Sequence, residues 1–147
     1  MIARLHEVIE HSEYDMVVSD FLNLLPDEKD NFIMHLQERT VNGRDVLEHL
    51  KNEKTYGVWT VVWNKIYKRE VLENLRFPAG KYFEDEFFSN YLYLNSDQIH
   101  VIPDVLCYHR VLESSTMNTH KTENYLDLLD ALQERIEIYF KNGYSED

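Results

Sequence analysis

A chain of 147 residues is long enough to close one hydrophobic core and too short for two independent catalytic lobes. Its 44% hydrophobic and 13% aromatic content excludes a disordered chain, because that much apolar surface can offset the entropy of ordering. Twenty-seven acidic against fifteen basic residues leave a net charge of −12, a field that repels phosphate backbones, so nucleic acid is excluded as a partner.

The spacing of Ile2, Leu5, Val8 and Ile9 predicts an opening helix over 1–12. Met16, Val17 and Val18 between two aspartates predict a strand over 14–21, buried on both faces as in parallel sheets. After a polar turn at 26–30, the alternation of Phe32, Met34 and Leu36 predicts a half-exposed strand ended by Asn42-Gly43. A short helix is expected over 44–54, with Val46, Leu47 and Leu50 on one face. The aromatic and β-branched run 58–67 reads as a buried strand, and 68–75 as a further helix. Proline and glycine in Phe77-Pro78-Ala79-Gly80-Lys81 demand an ordered loop, which delivers the chain to an acidic helix start at Glu84 and a helix through Asn95. Strands follow at 98–102 and 105–110, joined at Pro103-Asp104. The last element is an amphipathic helix from about Thr122, with Tyr125, Leu128, Leu129, Leu132, Ile136, Tyr139 and Phe140 at steps of three and four. Its polar face is acidic, unlike that of a membrane-surface helix, so it is expected to pack on its own domain. The sum is one α/β domain over 1–147, a short mixed sheet flanked by helices.

Cys107 is the sole cysteine, which excludes an intrachain disulfide and cysteine-paired zinc. With no long apolar run and no charged-then-apolar leader, a cytoplasmic protein is expected. The seven histidines show neither helical i, i+4 pairing nor a zinc signature, and no metal site made by this chain is expected. No Gly-x-Ser-x-Gly elbow or glycine-rich phosphate loop is present.

Three features could carry chemistry. Glu84-Asp85-Glu86 stands where a structured loop meets a helix; a carboxylate held there can act as a general base, or the acids can simply complement the helix dipole at roughly 0.3–1 kcal/mol each. Trp63-Asn64-Lys65, with Trp59 close by, sets large rings beside an amide and an amine; rings stack on sugars, and equally they fill cores. Tyr108-His109-Arg110 ends a strand before a polar loop with Ser114 and Ser115; an arginine there could clamp phosphate or stand in solvent.

Taken in order, Val62-Trp63-Asn64-Lys65-Ile66-Tyr67-Lys68-Arg69-Glu70, then Arg76-Phe77-Pro78 with Gly80, then Glu84-Asp85-Glu86-Phe87-Phe88, resemble bacterial family 2 glycosyltransferases. Tyr108-His109-Arg110 with Ser114, Ser115, Thr116 and Met117 is similar to that family's tyrosine-arginine strand and following serine loop. Asp15-Met16-Val17-Val18-Ser19-Asp20-Phe21 looks like the segment after the family's metal-binding Asp-x-Asp, a motif this sequence does not contain. The resemblance implies a partial GT-A (Rossmann-like) fold, the acceptor-side half of a glycosyltransferase without its nucleotide-sugar half. It implies Asp85 as catalytic base with Glu84 beside it, and an inverting transfer from a nucleotide-sugar donor to a saccharide acceptor for polysaccharide synthesis. Trp63, Asn64 and Lys65 would serve the acceptor side, Arg110 with the Ser114-Ser115 loop would close over the donor diphosphate, and His109 is expected among the substrate-binding residues. The family's divalent cation, Mg or Mn, would have no ligands in this chain alone, which is expected to be inactive. The resemblance also leaves room for peripheral attachment to the inner face of the cell membrane. The alternative expectation is a non-catalytic interaction module, derived from a glycosyltransferase and forming a homodimer through an exposed sheet edge.

Overall fold

The computed structural model describes residues 1–25, 27, 31–50, 54–112 and 122–144. Helix α1 spans Ile2–Ile9, strand β1 Met16–Leu24, β2 Phe32–Ile33, β3 Arg39–Val41, α2 Gly43–His49, α3 Tyr56–Thr60, β4 Lys65–Tyr67, α4 Glu84–Leu94, β5 Ile99–Arg110 and α5 Thr122–Asn142. The mixed sheet has the order β2-β1-β5-β3, and β4 also pairs with β1.

β1 is the central strand. It runs parallel to β5 from Met16↔Ile99 to Leu24↔Arg110, and antiparallel to β4 at Val18↔Lys65 and to β2 at Asn23↔Phe32. Alternation along β1 sends Met16 and Val18 into the main core with Ile99, Val101, Trp59 and Tyr93. Val17 faces the other way, into a smaller cluster with Leu5, Ile9 and Ile102 under α1. Residues buried to this degree contribute roughly 1.5–3 kcal/mol apiece, which is why β1 reads as an unbroken apolar run.

Four expectations are corrected. The alternating strand at 32–36 stops at Ile33, because His35 takes a left-handed conformation (φ 55°) and the Leu36 N–H donates to the buried Asp20 carboxylate at 2.9 Å. The run 58–67 is not one strand: its first part belongs to α3 and only Lys65–Tyr67 is extended. The Lys65 ammonium donates to the carbonyls of Val58 (2.6 Å) and Val61, capping the end of a helix that a strand would not present. The helix expected at 68–75 is a 3₁₀ turn over Arg69–Leu72. The two strands flanking Pro103-Asp104 are one, β5, whose pairing with β1 slips by two residues there and by one more at Leu106: from Ser19↔Ile102 to Asn23↔His109, β1 advances four residues and β5 seven.

The packing of α5 also departs from expectation. Asn124, Ala131, Arg135 and Ile138 are buried, and Leu128, Leu132 and Tyr139 are half-buried, whereas Tyr125, Leu129, Ile136 and Phe140 are between 44% and 63% exposed. The apolar stripe is wider than the groove that receives it. Among the described residues no helix is long and apolar enough to cross a membrane.

Asn42-Gly43 turns the chain from β3 into α2. The Asn42 side chain accepts from the Asp45 N–H at 2.9 Å, and the Asn42 N–H donates to the Asp45 carboxylate at 3.4 Å, a capping box. Gly43 lies against the end of α4, where an added Cβ would fall 1.7 Å from the Tyr93 carbonyl oxygen and 2.6 Å from that of Ser96. Backbone on both sides cannot yield. Gly43→Ala is therefore expected to destabilise the fold by about 3 kcal/mol or more, measured by denaturant unfolding, whereas Gly57→Ala, with open space around it, should stay within about 1 kcal/mol.

Candidate functional site

The parallel strands β1 and β5 end at the same edge of the sheet, and a cleft of about 710 Å³ opens there, within the roughly 300–1,000 Å³ typical of small-ligand sites. Phe21 and Asn23 of β1, Phe32 of β2 and His109 of β5 form its sheet side. Tyr56, Gly57, Val58 and Trp63 form a second wall. The first turn of α4, through Phe83, Asp85 and Glu86, faces Leu128 and Leu132 of α5 across the remainder.

The α4 turn is held from several directions. Gly80 supplies the left-handed bend (φ 74°) in the preceding loop. The Lys81 ammonium donates to Asp127 at 2.8 Å and Asp130 at 2.9 Å, the Tyr82 N–H donates to Asp127 at 2.9 Å, and Phe77 stacks on Phe88 at 4.1 Å. Phe83, the residue before the helix, is itself left-handed (φ 55°, ψ 40°), a conformation that costs a bulky side chain on the order of 1–2 kcal/mol. Such strain persists where surrounding contacts enforce it, and here it sets the direction in which Asp85 leaves the loop.

Asp85 is half-buried at the cleft wall, and among the described residues its carboxylate enters no salt bridge. Burial, then the neighbouring charges of Glu86 and Glu84, push it up to about 6 against the pull of the Asp85 and Glu86 N–H groups. Glu86 is buried and differently placed. Its carboxylate accepts from the Arg135 guanidinium at 2.7 Å and from the Tyr56 hydroxyl. Burial and that carboxylate raise the Tyr56 phenol to about 12, against the opposing effect of Arg135.

Of the residues singled out from the sequence, Asp85, Trp63 and His109 come together on the cleft wall. Trp63 stacks on His109 with centroids 5.2 Å apart, and His109 Nδ1 lies 2.8 Å from Asn23 Oδ1. Asn64 and Lys65 are buried beneath that wall. The Asn64 amide donates to the Ser19 carbonyl at 3.0 Å, while its oxygen accepts from Lys65 at 2.6 Å. Three oxygen acceptors match the three donors of the Lys65 ammonium, although burial drives it well below its ordinary pKa, with Asp85 pulling the other way. Glu84 is exposed outside the lining, as is Arg110, which alternation along β5 turns away from the face of His109. Ser114 and Ser115 lie outside the described residues. Sequence reasoning did not find Tyr56, Asn23 or the Glu86–Arg135 pair. The one available signal was Arg135, the sole basic residue of that helix before Lys141 in its last turn.

Among the described residues no three of His, Cys, Asp and Glu converge as cation ligands. The described residues thus offer no ligand set for the divalent ion implied by resemblance, and no chemical step is routed through one.

A carboxylate lifted by burial costs folding energy when ionised. Relative to an unfolded chain near 3.8, this penalty is absent below that pH, grows as pH rises, and is complete above about 6. Asp85→Asn is thus expected to stabilise the protein by roughly 1–2 kcal/mol at neutral pH, after allowance for partial solvent exposure, with the gain shrinking toward pH 4. Urea unfolding of both proteins across that range checks it; a variant less stable at neutral pH would show that the carboxylate is tied into the fold instead.

No family model matches the chain. Over 97% of its length the chain is similar, at 25% identity, to Glycosyltransferase GlyA of Streptococcus pneumoniae serotype 4 (strain ATCC BAA-334 / TIGR4). The aligned stretch is 21% of that protein, so the chain spans about a fifth of the curated relative it matches.

Proposed function

We propose that the chain is the acceptor-side portion of a family 2, GT-A-type glycosyltransferase, with Asp85 as the general base of an inverting sugar transfer. The observation that carries this reading is a single carboxylate, unpaired among the described residues and raised to about 6, on the wall of an aromatic cleft at the carboxyl ends of two parallel strands. The similarity to a stretch of a glycosyltransferase supports it.

In the proposed reaction a saccharide hydroxyl lies within hydrogen-bond reach of Asp85. The carboxylate takes the hydroxyl proton as the oxygen forms a bond to the anomeric carbon from the face opposite the leaving group. The bond from that carbon to the nucleoside diphosphate breaks, its electron pair leaves with the diphosphate, and configuration inverts. A base near 6 is ionised at neutral pH yet more basic than an exposed aspartate, which favours proton transfer. Trp63, stacked on His109, offers a ring against which a sugar can lie. The sequence contains no Asp-x-Asp, so the donor diphosphate would be held by residues outside this segment.

The pure chain is expected to give no sugar transfer with any nucleotide-sugar and saccharide acceptor. In a longer protein carrying this segment and a donor site, Asp85→Asn is expected to lower the rate by about 10²–10⁴-fold. The wild-type rate should also fall as pH drops through about 6. Turnover by the isolated chain, or a near-normal rate in the variant, would remove the assignment.

A second reading, association through an apolar surface, is favoured by the exposed line of Tyr125, Leu129, Ile136 and Phe140 on α5. Sedimentation of the chain should then show concentration-dependent self-association that Leu129→Glu with Ile136→Glu abolishes. A monomer at high concentration would leave the stripe without that role.

A further inference from the structure

We propose that Arg135 is a positioning residue of the cleft, which through Glu86 and Tyr56 holds the first turn of α4 in place and offsets the Glu86 charge beside Asp85. The inference rests on the reading of Asp85 as the working carboxylate.

Arg135 projects from α5 into a buried junction. Its Nε donates to Asn90 Oδ1 at 2.7 Å, Nη1 to the Tyr56 hydroxyl at 3.0 Å, and Nη2 to Glu86 Oε2 at 2.7 Å and the Glu86 carbonyl at 3.3 Å. Both ends of the ion pair are less than 10% exposed. One guanidinium therefore ties α3, α4 and α5, the three helices that contribute side chains to the cleft, and it does so at the residue next to Asp85. A lysine could supply the charge but not the fork, which engages an amide, a phenol and a carboxylate together.

The electrostatic consequence follows from proximity. Glu86 and Asp85 are adjacent carboxylates in one helical turn, and two like charges so close oppose each other's ionisation. Arg135, paired to Glu86, offsets part of the Glu86 charge that opposes ionisation of Asp85. The other charged or titratable groups facing Asp85 are Glu84 on α4, Tyr56 on α3 with Lys54 just before it, Lys65 on β4 and His109 on β5. Of these, Tyr56 donates to Glu86 and is uncharged at neutral pH.

The test is a carbon-13 NMR titration of the Asp85 carboxyl in the full chain for wild type, Arg135→Gln, Arg135→Lys, Glu86→Gln and the double variant Arg135→Gln with Glu86→Gln. Arg135→Gln should move the Asp85 midpoint upward by about 0.5–1 in pH, and Glu86→Gln should move it downward by a similar amount. The double variant should lie near wild type or below it, and Arg135→Lys between wild type and Arg135→Gln. Should Arg135→Gln fail to fold, Glu86→Gln and Arg135→Lys still carry the comparison. Midpoints unchanged in both, with only the melting temperature lowered, would make Arg135 a packing residue and overturn the proposal. That outcome is separable from failure of the base assignment, which would instead show as transfer surviving Asp85→Asn in a longer protein while the Asp85 midpoint still followed Arg135.

Discussion

The parallel pairing of β1 with β5 is the constraint from which the remaining arrangement follows. It joins strands about eighty residues apart, buries β1 on both faces and brings two carboxyl strand ends to one edge. In open α/β sheets that edge is where ligands bind, because loops and helix starts gather there while the backbone of the strands stays fully paired. The slips at Pro103-Asp104 and Leu106 matter to the site itself. Without the three extra residues of β5, Asn23 would stand beside Leu106 rather than His109, and the imidazole would lose both its amide partner and its place under Trp63.

Two buried cations serve the cleft from behind, and they differ in kind. Lys65 has only neutral oxygens as acceptors, including two carbonyls at the end of α3, so it is stabilised by a helix terminus and by hydrogen bonds. Arg135 has a carboxylate, and its planar fork reaches three side chains at once. Neither hydrogen-bonds to Asp85, although Asp85 and Lys65 attract each other through space. This division explains how a carboxylate can stand in a wall that also holds a buried ammonium and guanidinium and still be displaced upward. Such a carboxylate weakens the fold at neutral pH, the kind of cost that accumulates where a chain is shaped for binding or chemistry rather than for stability alone.

Regular elements with a strong period were legible from residue order. The α1 spacing, the apolar run of β1, the acidic start of α4 and the three-and-four recurrence in α5 each appear within three residues of their expected places, since each depends on local burial alone. Composition likewise excluded a disulfide, and the proline and glycine before Glu84 marked a turn that had to be ordered. The run at 58–67 misled because large apolar residues suit a buried strand and a buried helical turn equally, and what separates the two is Lys65, within the same run, finding the carbonyl oxygens of Val58 and Val61. The α5 stripe marked an amphipathic helix but not which third of its circumference the groove would accept.

Asp85 was visible as a candidate because its helix start and loop are local features. Its usefulness was not, since an acid at a helix N-terminus becomes a cleft carboxylate only when elements from far along the chain close around it. Trp63, Asn64 and Lys65 are consecutive, yet one faces the cleft and two are interior, a choice made by β1 and α3 rather than by their own spacing. Asn23 and His109 met through strand register, and Glu86 and Arg135 through helix packing across forty-nine positions. Period and composition act through near neighbours and are therefore written in the order of residues. Proximity between side chains distant along the chain exists only after the core has closed, and the burial that acts first on Asp85, ahead of its neighbours Glu86 and Glu84, is of that second kind.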